Sequence, residues 1–261
     1  MSKLVEAIAA SQFPFPIQNV IHLFEGGSAL HGARIEGKAD LDICGVFIEP
    51  KLKIFGLDPF EHFVTSTAEQ HERNTVDDTD ITLYSLRRWA FLATKGNPTA
   101  LSYLFSDNWA PNSWVWGYGV LGKMTDAMIA KSAIKHYIGF VDGQMARLLG
   151  TKGQGKHGQR PELTESHGYD TKAAMHAVRL LGEGLDLMQL GRVRFPRPNT
   201  EELISIRKGE WSLDKVCSRV SELISILEGA TEKSSLRAKP DRAIVNECLV
   251  DAYETFYEGA Q

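Results

Sequence analysis

Three cysteines in 261 residues, Cys44, Cys217 and Cys248, are too few and too widely spaced for a disulfide framework. No CxxC spacing offers a zinc site, so they read as reduced thiols. Long apolar runs are missing too. No stretch approaches 18 residues, which excludes a membrane-spanning helix, and no hydrophobic leader follows Met1. The expected setting is therefore cytoplasmic. An excess of basic charge is also absent: 29 Lys+Arg against 33 Asp+Glu leave a formal net charge of −4. That excludes a globally basic nucleic-acid coat but leaves room for a local basic groove. No internal repeat is visible. What remains is an ordinary globular composition, 43% hydrophobic and 24% charged, long enough for one large or two small domains with a real core.

The most informative positive feature is Asp40-Leu-Asp42. It follows Gly26-Gly27-Ser28 by about a dozen residues and runs into the apolar stretch Ile43–Ile48. In a strand, residues two apart share a face about 7 Å apart. Folding alone gives no reason to set two carboxylates together on an apolar strand, whereas divalent cations would. The Gly-Gly-Ser segment follows the apolar run Val20–Phe24 and reads as a tight turn leaving a strand. Such a turn presents backbone N–H groups and a hydroxyl to phosphate oxygens.

Along the chain, Lys3–Ala10 reads as a short amphipathic helix, and Val20–Phe24 and Asp40–Ile48 as strands. A short polar strand is expected around Thr79–Thr82. From Leu83 the spacing of Leu83, Leu86, Trp89, Ala90 and Ala93 predicts a helix, ended by Gly96-Asn97-Pro98, with a second helix through Ala100–Phe105. Beyond Trp109–Trp116 the period is helical over Val120–Leu149, Thr171–Leu190, Leu213–Glu228 and Arg242–Glu258. The expected fold class is α+β: a small mixed sheet flanked by helices in residues 1–115, then an all-α lobe in residues 116–261.

Phe24-Glu-Gly-Gly-Ser28, His31-Gly32 and Asp40-Leu-Asp-Ile-Cys-Gly-Val-Phe47 resemble the polymerase-β-like nucleotidyltransferase superfamily. A narrower likeness is to bacterial and phage nucleotidyltransferases, some of which accompany RNA ligases. It also covers Asp80-Ile-Thr-Leu-Tyr84, Gly96-Asn97-Pro98, Gly168-Tyr-Asp-Thr-Lys172, His176, Arg179-Leu-Leu181 and Ile206-Arg-Lys-Gly-Glu-Trp211. This chain has Ala29 and Cys44 where many relatives carry arginine. The resemblance implies that Asp40 and Asp42 bridge two Mg²⁺ ions, with Mn²⁺ as a substitute. It makes Asp80 the third ligand, with Asp77 and Asp78 as competitors because strand register is not readable from sequence. It implies a nucleotidyl transfer from an NTP to a hydroxyl acceptor, with RNA favoured. Transfer of AMP to a protein, a small-molecule acceptor and a non-catalytic nucleotide-binding module stay open.

Lys172, His176 and Arg179 stand at i, i+4 and i+7 on one helix face, a cationic ridge suited to a triphosphate. With Gly27, Ser28 and His31, these are the candidate nucleotide and phosphate contacts. Gly150–His157 nearly spells a P-loop but ends in His157 where a Mg²⁺-binding hydroxyl belongs, and it follows a helix. A basic loop touching phosphates and an inert linker are both open there. Arg192, Arg194, Arg197, Arg207 and Lys208 form a second basic cluster, read either as a single-strand contact or as a structural connector. Trp109, Trp114 and Trp116 are expected in packing, and His22 in a structural role. The oligomeric state is not readable.

Overall fold

The computed structural model describes residues 3–35, 40–68, 78–120, 122–150 and 160–259. In chain order, α1 (Lys3–Ala10) leads to β1 (Val20–Glu25), the short α2 (Gly27–Leu30), β2 (Leu41–Phe47) and α3 (Lys51–Phe55). Then come β3 (His62–Ser66), β4 (Thr79–Ser85), α4 (Leu86–Thr94), α5 (Pro98–Ser102), α6 (Ser113–Val115) and α7 (Lys123–Met128). The remainder is helical: α8 (Ile134–Leu148), α9 (Pro161–His167), α10 (Thr171–Leu190), α11 (Thr200–Arg207), α12 (Leu213–Lys233) and α13 (Arg242–Gly259). The α+β expectation holds: a mixed four-stranded sheet with flanking helices, and a helical C-terminal region.

Two compact units form. One comprises Met1–Lys95, Thr99–Met128 and Pro240–Gln261; the other comprises Gly96–Pro98 and Ile129–Lys239. A sequence cut near residue 115 divides the chain once, whereas these units are discontinuous. The last helix, α13, belongs with the sheet. Tyr253 donates from its hydroxyl to the Glu49 carboxylate at 2.7 Å, and Tyr257 donates to the Glu49 carbonyl. Glu49 sits at the exit of β2, and its burial raises its pKa.

The sheet order is β1-β2-β4-β3, with β2 and β4 parallel and the outer pairs antiparallel. Alternation along the central strands separates two faces. Leu41, Ile43, Phe47, Ile81 and Leu83 point into a core shared with Leu4, Val5 and Ile8 of α1. Asp42, Cys44, Asp80, Thr82 and Tyr84 occupy the other parity and are half-buried.

Several boundaries differ from the sequence reading. Leu83 is strand, not the first turn of a helix: β4 runs to Ser85, whose hydroxyl caps α4 by accepting from the Arg88 N–H at 3.2 Å. Leu83 fits both periods, and its pairing with Gly45 of β2 decides between them. The segment from Val120 is broken at Ile129 and Ala130 rather than being one helix. Among the described elements, β3, α3, α9 and α11 carried no recognised signal. β3 is an edge strand with alternating exposed and half-buried residues.

In the helical unit, buried polar pairs accompany the apolar packing. Asp186 of α10 accepts from Arg194 and from Arg197, both at 2.6 Å, and Arg197 is buried. These two arginines therefore hold the connector after α10 in place, which supports the structural-connector reading of the Arg192–Lys208 cluster at those positions.

Candidate active site

The register of β2 against β4 builds the site. Asp42 pairs directly with Asp80, and residues paired across parallel strands point to the same face. Asp40, two residues before Asp42, joins them. Carboxylate oxygens of Asp40, Asp42 and Asp80 all lie within 4.8 Å of one another, and each residue is half-buried. Like charges this close repel by a few kcal/mol per pair before solvent screening. Three converging carboxylates are hard oxygen donors of the kind Mg²⁺ and Mn²⁺ take. Among its competitors, Asp78 is turned to the β3 side, where its carboxylate accepts from the Thr67 hydroxyl at 3.1 Å. Asp77 lies outside the described residues.

The glycine turn is pressed onto this cluster. The Gly26 N–H donates to the Asp42 carbonyl at 2.8 Å. A Cβ at Gly26 would stand 2.7 Å from the Cys44 sulfur. A Cβ at Gly27, whose φ is +54°, would run into the Asp42 carboxylate itself. Both glycines are thus required by close approach, and Gly27 also by its left-handed backbone. Ser28, half-buried, follows inside α2, and its carbonyl accepts from the Ala33 N–H at 2.9 Å. His31 is buried at the C-terminal end of the same short helix. The structure therefore brings Gly27 against the Asp42 carboxylate, with Ser28 and His31 following directly in the same turn and helix.

Burial pushes the Cys44 thiol up to about 12, so it is a neutral neighbour of Asp42, with the Tyr103 hydroxyl beside it. His22 is structural: burial pushes it down to about 3, its ring stacks on Trp116 at 4.1 Å, and Nε2 pairs with the Ser106 hydroxyl at 3.0 Å. Trp116 is buried in that packing, whereas Trp109 and Trp114 are exposed.

Lys172, His176 and Arg179 belong to the helical unit, on α10. Asp170 caps that helix by accepting from the Ala173 N–H at 2.9 Å. Arg179 donates to Glu183 at 2.8 Å and approaches His176 Nδ1 at 3.3 Å. The His176 pKa is depressed well below its usual value by burial, then by Arg179, Lys172, Arg160 and Arg207. The sequence placed Arg160 in the Gly150–Gly168 loop and Arg207 in the second basic cluster, and tied neither to α10. Each lies in or beside a segment already notable, Gly150–Gly168 and Ile206–Trp211, but nothing local joins those segments to α10. Of the Gly150–His157 segment, residues 151–157 lie outside the described residues.

Among the described residues no helix is long and apolar enough to cross a membrane. A sequence model of the RNA repair pathway DNA polymerase beta family matches residues 1–257. No curated protein matches the chain. A nucleotidyltransferase-like protein from Exiguobacterium sibiricum is similar at 11% identity and a TM-score of 0.27, over 96% of this chain and 77% of that one.

Proposed function

The chain belongs to the RNA repair pathway DNA polymerase beta family, a group of polymerase-β-like nucleotidyltransferases, and from this premise we propose that it transfers a nucleoside monophosphate from an NTP to a hydroxyl of RNA, at a 3′ end, releasing pyrophosphate. The observation carrying the reading is the pairing of Asp42 with Asp80, which gathers three carboxylates within 4.8 Å beside a glycine turn. RNA is favoured as acceptor because the family is described by an RNA repair pathway.

Asp40, Asp42 and Asp80 fit a divalent site, because their oxygens converge and the adjoining turn leaves no Cβ over Asp42. Two bound Mg²⁺ ions supply Lewis-acid activation of the acceptor and neutralise charge on the departing pyrophosphate. In the reaction, the acceptor oxygen bonds to the α-phosphorus while the bond to the bridging oxygen breaks. Asp40 and Asp42, on one strand, set the position of the triphosphate. Asp80, from the neighbouring strand, accepts the hydrogen bond of the acceptor hydroxyl and takes its proton as the oxygen–phosphorus bond forms. Gly27 and Ser28 hold phosphate oxygens through N–H groups and the hydroxyl, with His31 behind them. Lys172, His176 and Arg179, on the helical unit, are read as phosphate contacts in their own right.

Incubation with each α-labelled NTP, Mg²⁺ and total RNA tests the reading. Label on RNA 3′ ends is the expected result. Label recovered on protein, with RNA clean, would replace the RNA acceptor by a protein hydroxyl. Undiminished pyrophosphate release after joint Asp40→Asn and Asp42→Asn substitution would overturn the site.

A further inference from the structure

The helical unit gathers cations around one imidazole from three separate segments. Lys172, His176 and Arg179 share a face of α10. Arg160, just ahead of α9, donates to Asp170 at 2.9 Å. Arg207, at the end of α11, donates to the Thr171 hydroxyl at 3.2 Å. Both tethers end on the two residues directly before Lys172, and Asp170 and Thr171 are buried. The chain is folded to make this meeting: the Tyr169 hydroxyl donates to the Trp211 carbonyl at 2.6 Å, and a Cβ at Gly209 would run into the His167 ring.

We propose that Arg160 and Arg207, with Lys172, His176 and Arg179, form a polyphosphate-binding site on the helical unit that holds its anion without divalent metal. This rests on the reading of Lys172, His176 and Arg179 as phosphate contacts, and it adds two residues and a protonation state to it.

The argument is electrostatic and geometric. Arg160, Lys172, Arg179 and Arg207 all disfavour charge on His176, and the Arg207 pKa is lowered by burial and then by Arg160. Carboxylates offset part of this: Asp170 holds Arg160, Glu183 holds Arg179, and Glu162 acts on Arg207. Asp170 is also spent on the α10 cap, and Glu183 is buried under Arg179. An anion of several charges relieves the remaining repulsion. The imidazole is prepared for it. An arginine N–H can only donate, so His176 Nδ1 accepts from Arg179 and the neutral ring carries its proton on Nε2. That leaves an N–H donor among guanidinium forks, the donor set that matches phosphate oxygens.

The probe is inorganic tripolyphosphate in EDTA, titrated into the full chain and read by calorimetry and by histidine NMR. The native chain binds it, and the His176 pKa rises on binding. Arg160→Gln and Arg207→Gln each weaken binding about tenfold, the loss of one charge-assisted contact. Arg160→Lys restores part of the affinity, because it keeps the charge. Asp40→Asn with Asp42→Asn abolishes nucleotidyl transfer and leaves tripolyphosphate binding unchanged. Binding that is absent without metal, or that survives both glutamine variants at native strength, overturns this site while leaving the transferase reading to its own assay. A His176 resonance that ignores the ligand overturns it as well.

Discussion

The two units handle charge in opposite ways. In the sheet unit, Asp40, Asp42 and Asp80 are carboxylate beside carboxylate, gathered by strand register within 4.8 Å. In the helical unit, carboxylates are matched to arginines: Asp186 with Arg194 and Arg197, Glu183 with Arg179, Asp170 with Arg160. A buried carboxylate normally needs such a partner, because desolvation disfavours its charge. The contrast separates acids that hold the fold together from acids that work against it. Three carboxylates converging in this way are a possible metal site.

That contrast can be broken most sharply at the acids. On the proposed reading, in which Asp40 and Asp42 hold metal at the reaction centre, joint Asp40→Asn and Asp42→Asn substitution lowers pyrophosphate release about a thousandfold or more. Thermal melting of the same variant stays level or rises, since repulsion is removed. A large drop in melting temperature would place these acids with the structural ones.

The complementary change is Arg197→Met in the helical unit. It leaves Asp186, buried and bonded to Arg197 at 2.6 Å, short of a partner. Because Arg194 still pairs with Asp186, chemical denaturation should show a loss of about 1.5–3 kcal/mol. A loss below about 1 kcal/mol would mean that this pair is not holding the connector.

Gly27→Ala probes the junction of turn and carboxylate. The new methyl meets Asp42 at a backbone φ of +54°, so stability falls by more than about 1 kcal/mol. Divalent-ion affinity, read by calorimetry, falls with it, whereas Gly229→Ala, with open space at that position, serves as the neutral control.

His22, buried, and His176, half-buried, give the smallest effects and the finest comparison. His22 has its folded pKa pushed down to about 3 from an ordinary 6.5, so the unfolded state binds the extra proton. Stability from this group is complete above about pH 6.5 and declines by about 1.4 kcal/mol per unit as pH falls toward 3. Comparing denaturation at pH 7.5 and 5.5, His22→Gln should remove that component of the slope. For His22 the cause is burial, whereas for His176 four cations add to burial. Added salt screens those cations, so the NMR-read His176 pKa rises with ionic strength while that of His22 holds still.

Part of this was legible in the sequence because it is local. Period-two spacing set Asp40 and Asp42 on one face, and Gly26-Gly27 announced a tight turn, which the structure presses against Asp42 and Cys44. Helical period predicted α1 and α10 with the boundaries observed, and placed Lys172, His176 and Arg179 on one face. Elsewhere local signals were ambiguous or weak. Leu83 satisfied a helical and a strand pattern together, and β3, half exposed at a sheet edge, lacks the apolar alternation that marks a strand.

What the sequence determined by itself, then, is the motif: a glycine turn, an acid pair on a strand and a basic helix face, each written within a few turns or pleats of backbone. Tertiary structure alone decided that Asp80 stands opposite Asp42, that Arg160 and Arg207 reach residues 170 and 171, and that α13 packs with the sheet. Parallel register and loop closure join residues tens of positions apart. Their free energy comes from packing and hydrogen bonds that no local stretch contains.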